Sequence, residues 1–209
     1  MWRLFFSFLL HSEVIHAFPI FTFSGPSGSS ATPSFASLVD DVELPDIFIL
    51  CSSSKQAKFD DLGVYSIAGK DSGVWLSIKM YTFLKATKLA LRWDGKFYNI
   101  GELKNPKLDY WYHVCMRMDL SKNEIEGAVN GVMMGRVVGK NITNIPSKLK
   151  MKIGIDYKNR QFQGSVANIQ VFKNGNVTDI SAMPCKHRQN AILPWNPDSW
   201  SVEGSEDKH

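Results

Sequence analysis

The 209-residue sequence has few cysteines, no extended run of one charge sign and no long apolar stretch beyond its first residues, and each shortage narrows what the chain can be. Its 24 basic residues are scattered among 20 acidic ones for a net charge of +4. Nowhere do like charges gather into the blocks that mark a nucleic-acid arm. Nucleic-acid binding is therefore not expected. Lys148, Lys150, Lys152, Lys158 and Arg160 form a local basic cluster. At most it would attract acidic glycans or anionic surfaces, and solvated strand faces are the simpler reading. No later stretch approaches the roughly 20 apolar residues a spanning helix requires, so no transmembrane segment is expected. No glycine-rich phosphate loop leads into a helix. No Ser, His and Asp set stands around a nucleophile elbow, and the five histidines lack metal-ligand spacing. A convincing amphipathic helix is also missing.

What is present points to a packed, exported β-protein. Hydrophobic residues make up 44% of the chain, with 13 Phe, 6 Trp and 6 Tyr, enough for a sizeable core in one domain. Arg3 precedes an apolar run over residues 4–10, interrupted soon after by Ser12, Glu13 and His16, and Ala17 offers a small residue for cleavage. Residues 1–17 read as an export signal and 18–209 as the mature domain, the alternative being an ordinary buried segment. Asn141-Ile142-Thr143 and Asn176-Val177-Thr178 carry the N-glycosylation pattern and agree with a secreted, extracellular chain. Three cysteines in an exported chain leave one over after pairing.

Short β-branched and aromatic runs recur between turn residues. Residues 20–23, 47–51, 64–68, 74–81, 88–93, 96–100 and 110–118 read as strands. In residues 74–81, Val74, Leu76, Ile78 and Met80 alternate with Trp75, Ser77, Lys79 and Tyr81, the period of a half-buried strand. Asp94-Gly95 and Asn130-Gly131 are strong hairpin signals because both central residues of a type I′ turn need positive φ. Further strands are expected over 124–129, 132–138, 148–155 and 165–172, with a turn at Asn174-Gly175. Many short strands without helices indicate an all-β sandwich or barrel.

The order of several landmarks then resembles one family. Phe48-Ile49-Leu50-Cys51 and Trp111-Tyr112-His113-Val114-Cys115 are similar to the two cysteine strands of the pentraxins. The Asn130-Gly131 turn follows at the family's distance. Ile153-Gly154, residues 164–172, Ile192-Leu193-Pro194-Trp195 and residues 200–204 resemble later family segments, so the likeness spans nearly the whole mature chain. Arg117, Met118 and Leu120 replace the family's usual residues after Cys115, which suits a divergent pentraxin-like or laminin-G-like domain. The resemblance implies a two-sheet antiparallel jelly roll of the concanavalin A-like class. It also implies a Cys51–Cys115 disulfide, with two small buried thiols as the alternative.

Pentraxins bind ligands through calcium, so the residues at the matching places bear on function. Asp71 and Ser72 fall where the family carries Asp and Asn, and Asp156, Tyr157 and Lys158 fall on its acidic cluster. Lys158 places positive charge where a cation should sit, and the loop from Asp156 to Gly164 has no second carboxylate. Asp71 and Asp156 remain candidates for one weakly held calcium ion, but turn aspartates are the favoured reading and no cofactor is expected. The expected function is a non-enzymatic lectin-like domain binding a glycan, a phospholipid head group or a protein with little calcium dependence. Its candidate contacts are Asp71, Asp156, Tyr157, Lys158 and Arg160. Glu124 and Glu126 share a strand face as the paired carboxylates of a jelly-roll glycosidase would, but surface glutamates on a hairpin explain them more simply.

The competing reading is an adhesive assembly domain that forms a homo-oligomer through Cys185, which the resemblance leaves unpaired in a polar stretch. It predicts a covalent species on non-reducing electrophoresis that Cys185→Ser abolishes. A purely monomeric wild type would remove that bridge.

Overall fold

A computed structural model of the chain describes residues 20–23, 35–57, 63–69, 72–83, 86–93, 95–138, 149–155, 162–183, 191–193 and 196–203. Fourteen strands and one short α-helix occupy them: β1 (Phe21–Phe23), β2 (Phe35–Leu38), β3 (Ile47–Gln56), β4 (Gly63–Gly69), β5 (Ser72–Phe83), β6 (Ala86–Trp93), β7 (Lys96–Leu103), β8 (Trp111–Asp119), β9 (Glu124–Val129), β10 (Val132–Val138), β11 (Leu149–Ile153), β12 (Gly164–Phe172), α1 (Val177–Ala182), β13 (Ala191–Leu193) and β14 (Trp200–Glu203).

The strands form two seven-stranded antiparallel sheets. The first runs β1-β12-β3-β8-β9-β10, with β13 also paired to β12, and the second runs β14-β2-β11-β4-β5-β6-β7. The expected all-β, two-sheet jelly roll is what the chain forms. Between the sheets lies one apolar core, to which β3 and β8 give Phe48, Leu50, Val114, Met116 and Met118, and β5 and β6 give Leu76, Ile78, Met80, Leu89, Leu91 and Trp93. The alternation read in residues 74–81 thus places Leu76, Ile78 and Met80 inside. Phe48 and Trp93 meet across the sheets with ring centroids 6.3 Å apart.

Both hairpins expected from their turn residues form. Val129 pairs Val132 across Asn130 and Gly131, whose φ values are 49° and 81°, the two left-handed residues that a type I′ turn requires. Trp93 pairs Lys96 around Gly95.

Three features were not expected. The second strand lies at Phe35–Leu38, where no strand was read from the sequence. β12 carries a bulge between Ala167 and Gln170, where Asn168 adopts φ 51°. Residues after the Asn174-Gly175 turn form helix α1. Six residues are too few to show a helical period, so local capping and packing determine it. Asn176 is its N-cap, accepting from the N–H groups of Thr178 and Asp179. Val177 and Ile180 join a second, smaller cluster with Ile49, Cys51, Cys115, Ala128 and Phe172 on the far side of the first sheet.

At one side the sheet edges close on each other, β10 against β7. A Cβ on Gly135 would lie well inside contact distance of the Ile100 carbonyl oxygen, and one on Gly101 would do the same to the Met134 carbonyl oxygen. Gly135→Ala should therefore destabilise the domain by about 2 kcal/mol or more, since the clash is with backbone that cannot yield. Gly95→Ala meets no atom within 4 Å and carries only the strain of φ +74°, so its cost should be smaller. Denaturant midpoints of the two variants test the difference.

Candidate functional site

The Cys51–Cys115 disulfide forms, joining positions 64 apart in sequence, and by loop-closure entropy a ring of this size contributes about 4 kcal/mol. Cys51 stands directly opposite Cys115 in the β3–β8 ladder, so the ladder puts Lys55, Ser53 and Ile49 on the same face as Trp111, His113 and Arg117. This is the outer face of the first sheet, away from the main core. Helix α1 covers its middle, over the disulfide.

On one side of the disulfide lies a buried polar array. The Nδ1 atom of His113 is 2.8 Å from Ser53 Oγ, and the Asn168 amide nitrogen is 3.4 Å from the same hydroxyl. His113 Nε2 lies 3.6 Å from Cys115 Sγ. The β12 bulge is what swings Asn168 onto this face, and its Oδ1 is buried without a hydrogen-bond partner. Burial pushes the His113 pKa down from its ordinary value to about 4, so the ring is neutral at physiological pH. The sulfur beside it is in the disulfide. It is no thiolate for a base to activate or a metal to bind, although Cys51, His113 and Cys115 lie within ligand distance of one another. His113 is a buried strand residue.

Further along the same strand comes an ionic cluster. Arg117 reaches Asp119 at 3.1 Å, Glu126 at 3.5 Å and Glu124 at 3.6 Å. Arg136 on β10 pairs with Glu124 and, at 3.9 Å, with Glu126. Lys122 lies 3.7 Å from Asp119. The hydrogen bond from the Ser121 hydroxyl holds the Asp119 carboxyl below the usual range against the opposing effect of burial, helped by the Lys122 N–H and Arg117. Its hydrogen bond to Glu124 is the main reason that Arg136 is held above its ordinary value. The expectation of two surface glutamates needs correcting, because Glu124 is only 4% exposed. Burying a carboxylate requires a partner, and the two arginines supply it. Both carboxylates of this pair are engaged by guanidinium groups, an arrangement that neutralises charge.

Beyond His113 the face ends on Trp111, with the Lys55 ammonium 6.0 Å from its ring centroid. The Trp111-x-His113-x-Cys115 spacing puts these residues on one face of a strand, whereas Ser53 and Asn168 carry no comparable signal. The candidate contacts Asp71, Asp156, Tyr157, Lys158 and Arg160 lie outside the described residues, as do Asn141, Cys185 and the proposed export signal at 1–17. Residues close to Asp71 and Asp156 are described. In the β4–β11 ladder Gly69, before Asp71, stands opposite Leu149, while Ile155, before Asp156, follows the opposite end, where Ile153 pairs Tyr65. Those two ladder rows are separated by roughly 13 Å of strand.

No family model matches the sequence. No curated protein matches it either. Solved structures do. A native heptameric SAP-like pentraxin from Limulus polyphemus superposes with a TM-score of 0.75 at 16% identity, covering 91% of this chain and 94% of that one. The full extracellular region of zebrafish Gpr126/Adgrg6 is similar at TM-score 0.68 and 12% identity, over 91% of this chain but 26% of that one. Domain 4 of AbnA, an extracellular arabinanase of Geobacillus stearothermophilus, in complex with arabinotriose, matches at TM-score 0.53 and 11% identity, over 80% of this chain and 88% of that one. At such identities the likeness is one of fold, and the fold is the pentraxin-type jelly roll.

The burial of His113 links its protonation to the stability of the fold. Its folded pKa of about 4 lies below the unfolded value of 6.5, so the unfolded chain binds the extra proton between them. Stability from this burial is present above pH 6.5 and is lost as pH falls toward 4, by up to about 1.4 kcal/mol per unit. His113→Asn should flatten the pH dependence of Tm across that window. An unchanged slope would place its origin elsewhere.

Proposed function

We propose that the chain is an extracellular, non-enzymatic recognition domain whose ligand is a glycan, in preference to a phospholipid head group or protein partner. The observation that carries this reading is the pentraxin-type jelly roll over 91% of the chain, an architecture it shares with a sugar-bound domain of an extracellular arabinanase. The disulfide supports export, because such bonds persist in oxidising compartments. Engagement of Glu124 and Glu126 by Arg117 and Arg136 speaks against a glycosidase using that pair.

The ligand is held with little calcium dependence. Asp71 and Asp156 are the carboxylates that could share an ion, and the residues leading into them leave opposite ends of one strand pair. Tyr157, Lys158 and Arg160 provide stacking and anion-pairing groups in the second of these loops. Asn176 carries an N-linked glycan. It is exposed and caps α1 through Oδ1, while a glycan would be attached through Nδ2, so the cap survives modification.

Glycan-array binding, run with and without chelator, tests the reading. Binding to a subset of glycans that persists in chelator is expected. Loss of all binding in chelator would restore calcium, and silence across the whole array would overturn the ligand class.

A further inference from the structure

We propose that the first sheet carries an oligosaccharide-binding strip on its outer face, at the end away from the ion pairs, formed by Trp111, Lys55 and Thr22. The inference rests on the glycan reading above and assigns it a surface that neither the calcium-type loops nor the paired glutamates include.

The register aligns these residues. Lys55 pairs Trp111 in the β3–β8 ladder, Ser165 pairs Lys55 in the β12–β3 ladder, and Thr22 pairs Ser165 in the β1–β12 ladder. Directly paired residues point to one face. Four side chains from four adjacent strands therefore form a straight row on the face that bears the disulfide, spanning roughly 14 Å at the usual strand spacing. The row lies four residues along β8 from Cys115, beyond the part of the face where α1 packs on the disulfide.

Its chemistry suits a sugar chain. Trp111, Lys55 and Thr22 are each half-buried, which leaves part of every side chain for a ligand while fixing its position. An indole face accepts the apolar C–H face of a sugar ring, and hydroxyl and ammonium groups at strand spacing meet the hydroxyls around it. Ser165 is buried, and its hydroxyl lies 3.2 Å from that of Thr22, which orients the far end of the row. The Lys55 ammonium, 6.0 Å from the Trp111 centroid, stands above the indole without closing on it.

The neighbouring row on this face is closed. In the neighbouring row, Asn168 is 7% exposed and its Oδ1 has no hydrogen-bond partner, although Nδ2 is directed at Ser53. A buried amide oxygen left unpaired is costly, and it sits on a residue held at φ 51° in a bulge. Enclosed in the sheet, this oxygen is no contact for a ligand, and the strip is confined to the Trp111 row. The row has one large aromatic, one cation and two hydroxyls, too polar for the apolar centre of a protein interface and too nearly neutral for an anionic membrane.

The test uses the full chain and a panel of neutral tetrasaccharides (cellotetraose, mannotetraose and chitotetraose), with affinity measured by calorimetry and folding checked by Tm. Wild type should bind at least one of them. Trp111→Ala should weaken that binding by about tenfold or more with Tm little changed, and Lys55→Gln and Thr22→Ala by a few-fold each. Lys150→Gln, exposed on the second sheet, should leave it unaltered. If wild type binds a tetrasaccharide and all three strip variants bind it equally well, the strip is overturned while the glycan reading stands. If wild type binds none of them, the strip is overturned whatever the array shows. Silence on the array as well removes the glycan reading with it.

Discussion

The rest of the first sheet depends on one cross-strand bond. Cys51 and Cys115 can join only if β3 and β8 run with those two residues face to face, and a strand alternates its side chains with a period of two. Once that pair is set, Phe48, Leu50, Val114, Met116 and Met118 have to enter the core, and Ser53, Lys55, Trp111, His113, Arg117 and Asp119 have to leave it. A slip of one residue would bury an arginine, an aspartate and a histidine among Phe and Leu. The hydrophobic pattern and the covalent bond demand the same register.

That register creates a difficulty that the outer face has to solve. The polar residues it carries outward are still mostly buried, because neighbouring strands and α1 cover them. Buried polar groups need partners. At one end the solution is mutual: Arg117 and Arg136 compensate Asp119, Glu124 and Glu126, with Lys122 at the margin. In the middle, His113 stays neutral and shares Ser53 with Asn168. The groups that chemistry would recruit are thereby committed to one another. At the Trp111 end the row is different, since Trp111, Lys55 and Thr22 are each half-buried, and a half-exposed face is where a ligand can contribute.

Closure of the sandwich follows a separate rule. Antiparallel sheets leave edges, and the approach of β10 to β7 uses glycine on both sides, Gly101 and Gly135, to bring backbone against backbone. The β10 bulge between Met133 and Gly135 turns the strand at that point. Sheet register and edge closure are thus decided by different residues, and a change at one need not disturb the other.

How much of this could be read beforehand varied with the range of the interaction responsible. Alternating strands, both glycine hairpins and the facing faces of Trp111, His113 and Cys115 are local properties of chain geometry, so the amino-acid order by itself determined them, and with them the all-β class. The ordered landmarks reached further, to the jelly roll and the disulfide. Helix α1 was invisible because its six residues owe their conformation to the Asn176 cap and to Val177 and Ile180 packing on the disulfide. The bulge at Asn168 and the burial of Glu124 were invisible for a related reason. Each depends on which strand lies alongside: β3 for Asn168, and β8 and β10, with their arginines, for Glu124. For Asn168 only the tertiary structure decides that, because 115 residues separate it from Ser53 on β3 and no local pattern encodes their meeting; for Glu124 the neighbouring strands are close in sequence, but its burial depends on the register and packing that bring Arg117 and Arg136 against it.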